Sequence, residues 1–319
     1  MKNKIKSYPF AQKNISKIVF VSGNTRSGKA VMLKIIASLK GVEKVNFSPL
    51  MEQANFLTLT NNISKDAAIY FQRRAFSILD YNLRIGREIN FRKKDFTSIY
   101  EYRNPKKYLK NLKSQEGDKV IAKLKKEKSV VPIMIHHGLS TPNLFSAFDN
   151  FVFFEMIRNP ISIVYSWLKK GYDEKFYYSY RVGCLTLKYK NKIVPYYAHG
   201  WEKKYLQLNK YEKVIEIFLR LEKFKEKTLK KLNIKDKKKI IYIRLEDLYI
   251  NPLLILNKIE KILKKRKTNY TNKIFKQEKL PRTIDLYNTQ YQKEMIKKKV
   301  SSIYFKKLLQ LENKYFKIK

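Results

Sequence analysis

Ile18-Val19-Phe20-Val21 is a short β-branched and aromatic run that passes into Gly23-Asn24-Thr25-Arg26-Ser27-Gly28-Lys29 and then into a helical pattern of Val31, Leu33, Ile35, Ile36 and Leu39. A buried strand, a glycine-bearing turn and a helix in that order leave few topologies open. A second strand expected over 42–47 makes the segment a β-α-β unit. Such a unit closes by a right-handed crossover onto a parallel sheet. Further strands are expected over 130–135, 151–157 and 240–243, so the chain reads as α/β with a central, mainly parallel sheet in a three-layer, P-loop-like arrangement.

The turn suits phosphate. Its small residues expose successive backbone N–H groups, and the helix behind it adds a partial positive charge. Arg26 and Lys29 contribute full charges, Thr25 and Ser27 hydroxyls, and Gly23, Asn24, Gly28 and Ala30 complete the loop. The spacing also matches a nucleoside-triphosphate loop, which needs a serine or threonine after the lysine to hold magnesium. Here that position is Ala30. A magnesium-dependent kinase or NTPase is therefore the alternative rather than the main expectation.

A second phosphate grip is expected at Arg158. It follows the strand over 151–157, Asn159 is a good N-cap, and Pro160 suits the first helical position. Arg158 then lies at the carboxyl end of a strand, where α/β ligand crevices form. Ser166 lies one turn beyond Ser162 on the same helical face.

The loop, Arg158-Asn159-Pro160 with Ser166, and Leu245-Glu246-Asp247-Leu248 followed by Asn251-Pro252 together resemble the sulfotransferases that use 3'-phosphoadenosine 5'-phosphosulfate (PAPS). The pieces occur in that family's order over residues 17–265, and Arg26-Ser27-Gly28 is similar to the core of many bacterial members. The resemblance implies a sulfuryl transfer from PAPS to a hydroxyl or amine acceptor, with no metal. It assigns the loop to the 5'-phosphosulfate and Arg158 with Ser166 to the 3'-phosphate. It places Arg26 first and Lys29 second as stabilisers of the leaving group. Lys29-Ala30 departs from the Thr-Thr of many members, and Ser162 from a common Asp.

Three residues compete for the role of general base: Glu52, located like the catalytic glutamate of glycan-acting members, and His136 and His137 at the end of the third strand. Glu52 could instead cap the helix starting near Pro49. His199 is placed at the acceptor cleft or in a packing or capping role. Tyr172, Phe176, Tyr177 and Tyr178 could stack on a sugar or belong to the core. The favoured acceptor is a carbohydrate or glycolipid, and oligomeric state is left open.

The net charge of +43 also invites a nucleic-acid reading. The lysines are spread along the whole chain, and the excess of Lys, Asn, Ile, Tyr and Phe over Gly and Pro is what an AT-rich coding sequence gives. Nucleic acid is thus not the expected partner, and a basic non-catalytic binder ranks third. A single cysteine, Cys184, excludes an intramolecular disulfide framework and a multi-cysteine zinc site. With no apolar signal core and no long apolar run, a cytoplasmic location is expected, with peripheral contact at the inner membrane surface left open. One domain over 1–319 is expected. It carries a surface-weighted helical insertion over 64–128 that shapes the acceptor cleft, helices over 201–232 and 253–263, a hairpin turning at 190–192, and a basic helical tail over 285–319.

Overall fold

A computed structural model describes residues 14–172, 183–284 and 286–318. Strand β1 (Lys17–Gly23) leads through the loop into helix α1 (Lys29–Ala37), and β2 (Asn46–Phe47) follows. Helices α2 (Pro49–Leu59), α3 (Lys65–Ile85), α4 (Pro105–Asn111) and α5 (Asp118–Glu127) precede β3 (Val130–Met134). After α6 (Asn143–Ala147) come β4 (Phe151–Ile157) and α7 (Pro160–Lys170). A hairpin of β5 (Thr186–Tyr189) and β6 (Lys192–Pro195) is followed by α8 (Glu202–Gln207), α9 (Lys210–Lys231) and α10 (Ile234–Lys237). The last sheet strand is β7 (Ile240–Arg244), and behind it lie α11 (Leu245–Ile250), α12 (Pro252–Leu263), α13 (Asn269–Gln277), α14 (Leu286–Lys297) and α15 (Ser302–Phe316).

The sheet runs β2-β3-β1-β4-β7, every pairing parallel. Burial on both faces explains why the strands read as continuous apolar runs. Val19, Val21, Phe154, Met156 and Ile243 face a core built with α1, α12 and α13. Ile18, Phe20, Val131, Ile133 and Phe153 face the opposite core, built with α3 and α6. Each of these fully buried side chains contributes about 1.5–3 kcal/mol of transfer free energy. A third core joins α7, the hairpin, α9, α14 and α15. Among the described residues no helix is long and apolar enough to cross a membrane.

Four expectations need correcting. The second strand shrinks to Asn46–Phe47, with Val42 making only a lone bridge to Val130. Glu43 and Lys44 interrupt it, because both are drawn into a buried polar cluster. The insertion over 64–128 is not surface-weighted: Ile69, Phe76, Leu83, Ile99, Tyr102 and Tyr108 are core residues. Helix α3 starts beside α2, where Gln72 donates to the Met51 carbonyl (3.1 Å), and it ends at the amino edge of the sheet, where Asp80 accepts from Ser16 (2.9 Å).

The helical span over 201–232 is two helices, broken where Asn209 caps α9 through the N–H groups of Tyr211 and Glu212. The C-terminal segment is not a free tail, since Ile296, Tyr304 and Leu308 are buried in the third core. A helix over 269–277, unread in the sequence, packs on α1 through Thr271 and Ser38 (2.9 Å).

Candidate active site

The loop between β1 and α1 needs glycine at both ends. Gly23 has φ 135°, and a Cβ there would sit 2.3 Å from the Met156 carbonyl oxygen. Gly28 has φ 92°, and its Cβ would meet Leu245 Cδ1 at 2.3 Å. Arg26, between them, takes the left-handed conformation (φ 71°) without being glycine, a strain of order 1 kcal/mol or more. Neighbours hold it there. The Thr25 carbonyl accepts from Trp167 Nε1 (2.8 Å), and the Arg26 carbonyl accepts from Arg158 Nη1 (3.0 Å).

Inside the loop the Ser27 hydroxyl is buried and has no hydrogen-bond partner. The first-turn N–H groups of α1, at Lys29, Ala30 and Val31, lack intrahelical acceptors because of where they stand in the helix. An orphaned hydroxyl, unfilled amides and the positive end of a helix make a cradle for an anion. Lys29 is fixed behind it, its ammonium donating to the carbonyls of Gly23 (2.8 Å) and Asn24 (2.7 Å). That uses two of its three N–H groups. Burial lowers its pKa to about 8 against the pull of Glu52 and Glu155.

Sheet register brings the second grip to the first. Gly23 pairs with Met156 on β4, so Arg158 emerges two residues further on beside the loop. Arg26 Nε donates to Ser166 Oγ (3.2 Å) while Arg158 donates to the Arg26 backbone. Arg26, Arg158 and Ser166, read separately in the sequence, therefore meet at one place. Asn159 caps α7 through the Ile161 N–H (2.8 Å), with Pro160 in the first turn.

A third guanidinium joins them. Arg282 lies over the Tyr249 ring (3.6 Å) and donates its backbone N–H to the Tyr249 carbonyl (2.8 Å). Burial pushes the Arg158 pKa down, Glu246 and Tyr249 oppose this, and the positive charges of Arg26 and Arg282 reinforce it. Positive charge at Arg158 in excess of what Glu246 offsets is electrostatically unfavourable unless an anion joins it. The sequence reading missed Arg282, Tyr249 and Trp167. Only a Pro-Arg pair interrupting a helical stretch and a tryptophan next to Ser166 marked them.

On the other flank of the loop, Glu52 Oε2 accepts from both the backbone N–H (2.7 Å) and Nδ1 (3.0 Å) of His136. Two residues weighed as competing bases are thus partners. The carboxylate keeps the His136 proton on Nδ1 and leaves Nε2 as the acceptor. Glu52 does not cap α2; Ser48 stands at that position.

His137 points elsewhere. It is left-handed (φ 51°), its N–H donates to the Gly23 carbonyl (3.3 Å), and its Nδ1 lies 3.1 Å from Asn24 Oδ1. Burial, then Lys29, His136 and Lys225, hold its pKa well below the usual histidine value. It serves as a neutral brace for the loop. Asn24 is held in turn by Glu222 (2.9 Å), which pairs with Lys225 (2.9 Å).

His199 pairs with Glu202 (3.8 Å) at the start of α8. Tyr172 stacks on Trp167 (6.1 Å between centroids, 13° between planes). Phe176, Tyr177 and Tyr178 lie outside the described residues.

No protein-family model matches the chain, and no curated protein sequence matches it. Among solved structures it is similar to the sulfotransferase STF9 from Mycobacterium avium, at 9% identity over 96% of this chain and 78% of that one, with a TM-score of 0.47. The sulfotransferase domain of the Synechococcus PCC 7002 olefin synthase is 12% identical over 97% of this chain and 98% of its own, with a TM-score of 0.46. A sulfotransferase domain from the curacin biosynthetic pathway is 14% identical over 82% and 77%, with a TM-score of 0.43.

Proposed function

We propose that the chain is a sulfotransferase that takes PAPS as donor and passes the sulfuryl group to a hydroxyl or amine acceptor. The observation that carries this reading is the meeting of Arg26, Arg158 and Ser166 beside the loop, which supports a site with two separate anion grips. A donor with phosphate-type anions at both its 5' and 3' positions suits two grips, whereas a nucleoside triphosphate needs only one. The missing hydroxyl at Ala30 weighs the same way.

The residues present fit such a donor. The unpartnered Ser27 hydroxyl and the first-turn amides of α1 would hold the phosphosulfate end, and Arg158 with Ser166 the 3'-phosphate. The bound donor supplies an activated sulfuryl group whose departure leaves adenosine 3',5'-bisphosphate. Arg26, whose Nε bonds Ser166 in this structure, would turn from that contact toward the charge that grows on the departing phosphate. Lys29 acts mainly by fixing the loop, with one N–H left to turn toward the leaving oxygen. His136 takes the acceptor's proton at Nε2, and Glu52 orients the ring and stabilises the charge it gains. The acceptor class we favour is a carbohydrate or glycolipid hydroxyl, on the strength of a base at Glu52 and His136.

Titration calorimetry tests the reading. Adenosine 3',5'-bisphosphate should bind in the micromolar range without a metal and more tightly than adenosine 5'-phosphate. Tight binding of ATP with Mg²⁺ and no response to the bisphosphate would sink the proposal in favour of a kinase.

A further inference from the structure

The two C-terminal helices reach into the Arg158 grip. Asn159, the residue after Arg158, is held from two sides. Its backbone N–H donates to Glu246 Oε1 (3.0 Å), and its side-chain amide donates to Glu312 Oε1 (3.2 Å) on α15. Each of these carboxylates is fixed again by the C-terminal pair: Tyr315 donates to Glu246 Oε2 (2.5 Å), and Lys293 on α14 bonds Glu312 Oε2 (2.8 Å). Arg244, at the end of β7, reaches the Ile318 carbonyl (3.4 Å). A cavity of about 70 Å³ lies in this corner, bounded by Asn24, Arg158, Lys225, Lys314, Tyr315 and Ile318.

We propose that α14 and α15 form a positioning clamp for the donor site, with Glu312 and Tyr315 as its jaws, so that docking of the C-terminus and occupancy of the Arg158 grip are coupled. This rests on the sulfotransferase reading for the identity of the ligand. The physical basis is local. A long arginine side chain loses rotamer freedom on binding, and a backbone fixed at the next residue reduces what remains to be ordered. Neutral Asn159 donates to carboxylates from its backbone N–H and from its side-chain amide, and such charge-assisted bonds are the stronger kind. Neither Glu312 nor Tyr315 is assigned a contact with the donor, so both are positioning residues.

Linkage makes the proposal reciprocal: whatever the clamp adds to ligand affinity, the ligand must add to clamp stability. Hydrogen–deuterium exchange on the full chain reads both directions. Tyr315→Phe and Glu312→Gln should each speed exchange over residues 157–163 in the free protein. Adenosine 3',5'-bisphosphate should slow exchange over 302–318 in the parent chain. By calorimetry the two variants should bind the bisphosphate about three- to tenfold more weakly and bind adenosine 5'-phosphate within about twofold of the parent.

Unchanged exchange over 157–163 overturns the clamp. Equal losses for the two nucleotides together with a lower melting temperature overturn it as well, because they report general destabilisation. A parent chain that does not distinguish the two nucleotides refutes the donor reading, and the exchange of 157–163 then still decides for or against the clamp.

Discussion

At the amino end of the sheet, Arg84 is buried among Glu43 (2.5 Å), Glu127 (3.3 Å) and Asp80 (3.4 Å), and Glu43 also takes Lys107 (2.7 Å) and Tyr108 (2.5 Å). At the carboxyl end, Arg158 feels the positive charges of Arg26 and Arg282, with Glu246 as the carboxylate that opposes them. The first cluster matches its cations with carboxylates, and only Arg84 Nε among its charged atoms is left without a partner. The second has more positive charge than its own carboxylate can match, and it sits beside an unpartnered hydroxyl. Buried charge by itself says little about function; the excess of one sign over its partners does.

The contrast predicts opposite phenotypes for substitutions at the two ends. The largest effect is expected at the amino end. Arg84→Met leaves Asp80 buried without its cation and Glu43 with the Lys107 cation alone, and should cost about 3–5 kcal/mol of stability, read as a lower denaturant midpoint. Nucleotide affinity of the folded fraction should be unchanged; a selective loss of affinity would erase the distinction between the ends.

Acid should attack the same cluster. Burial alone would raise the Glu43 carboxyl, but Arg84, Lys107 and the bonds from Lys107 and Tyr108 outweigh it and hold its pKa at about 2. A folded pKa below the unfolded value of 4.5 gives stability that is full above 4.5 and is lost as pH falls toward 2; the contribution is of order 3 kcal/mol. Asp80 works the other way, because burial raises it despite Arg84, so its protonation on acidification relieves part of the loss. Stability measured from pH 6 to pH 2.5 should fall less steeply in Glu43→Gln than in the parent. Parallel curves would remove Glu43 from the account.

At the carboxyl end, Arg158→Ala should weaken adenosine 3',5'-bisphosphate by about 1.5–3 kcal/mol, roughly ten- to 150-fold, with a much smaller effect on adenosine 5'-phosphate. The melting temperature should change little. Equal losses for the two nucleotides would show that Arg158 does not read the 3' end. Ser166→Ala is the smallest case. Removal of one neutral hydroxyl should cost about 0.5–1.5 kcal/mol of bisphosphate affinity, and no measurable change would leave the second grip to arginine alone.

Much of this was written locally in the chain. The β-branched runs at 18–21, 130–135, 151–157 and 240–243 became the sheet's longer strands, and Gly23, Gly28, Asn159 and Pro160 stand where loop and cap chemistry requires them. These signals are legible because each is decided within a few residues by dihedral preference, periodicity or capping. The parallel α/β class follows from their order.

What the sequence could not show are contacts between distant segments. Glu52 and His136, 84 residues apart, looked like rivals until one carboxylate oxygen was seen to hold the histidine. Arg26 and Ser166 are 140 residues apart, and Asn159 and Glu312 are 153. Helical pattern alone made the C-terminus a tail and 64–128 a surface insertion, because an amphipathic helix records that it has a buried face but not what covers it. The chain by itself determined the strands, the caps and the glycine loop. Only the tertiary structure decided which charged groups meet, because strand order and register, set by the packing of two separate cores, bring the ends of β1, β3, β4 and β7 together.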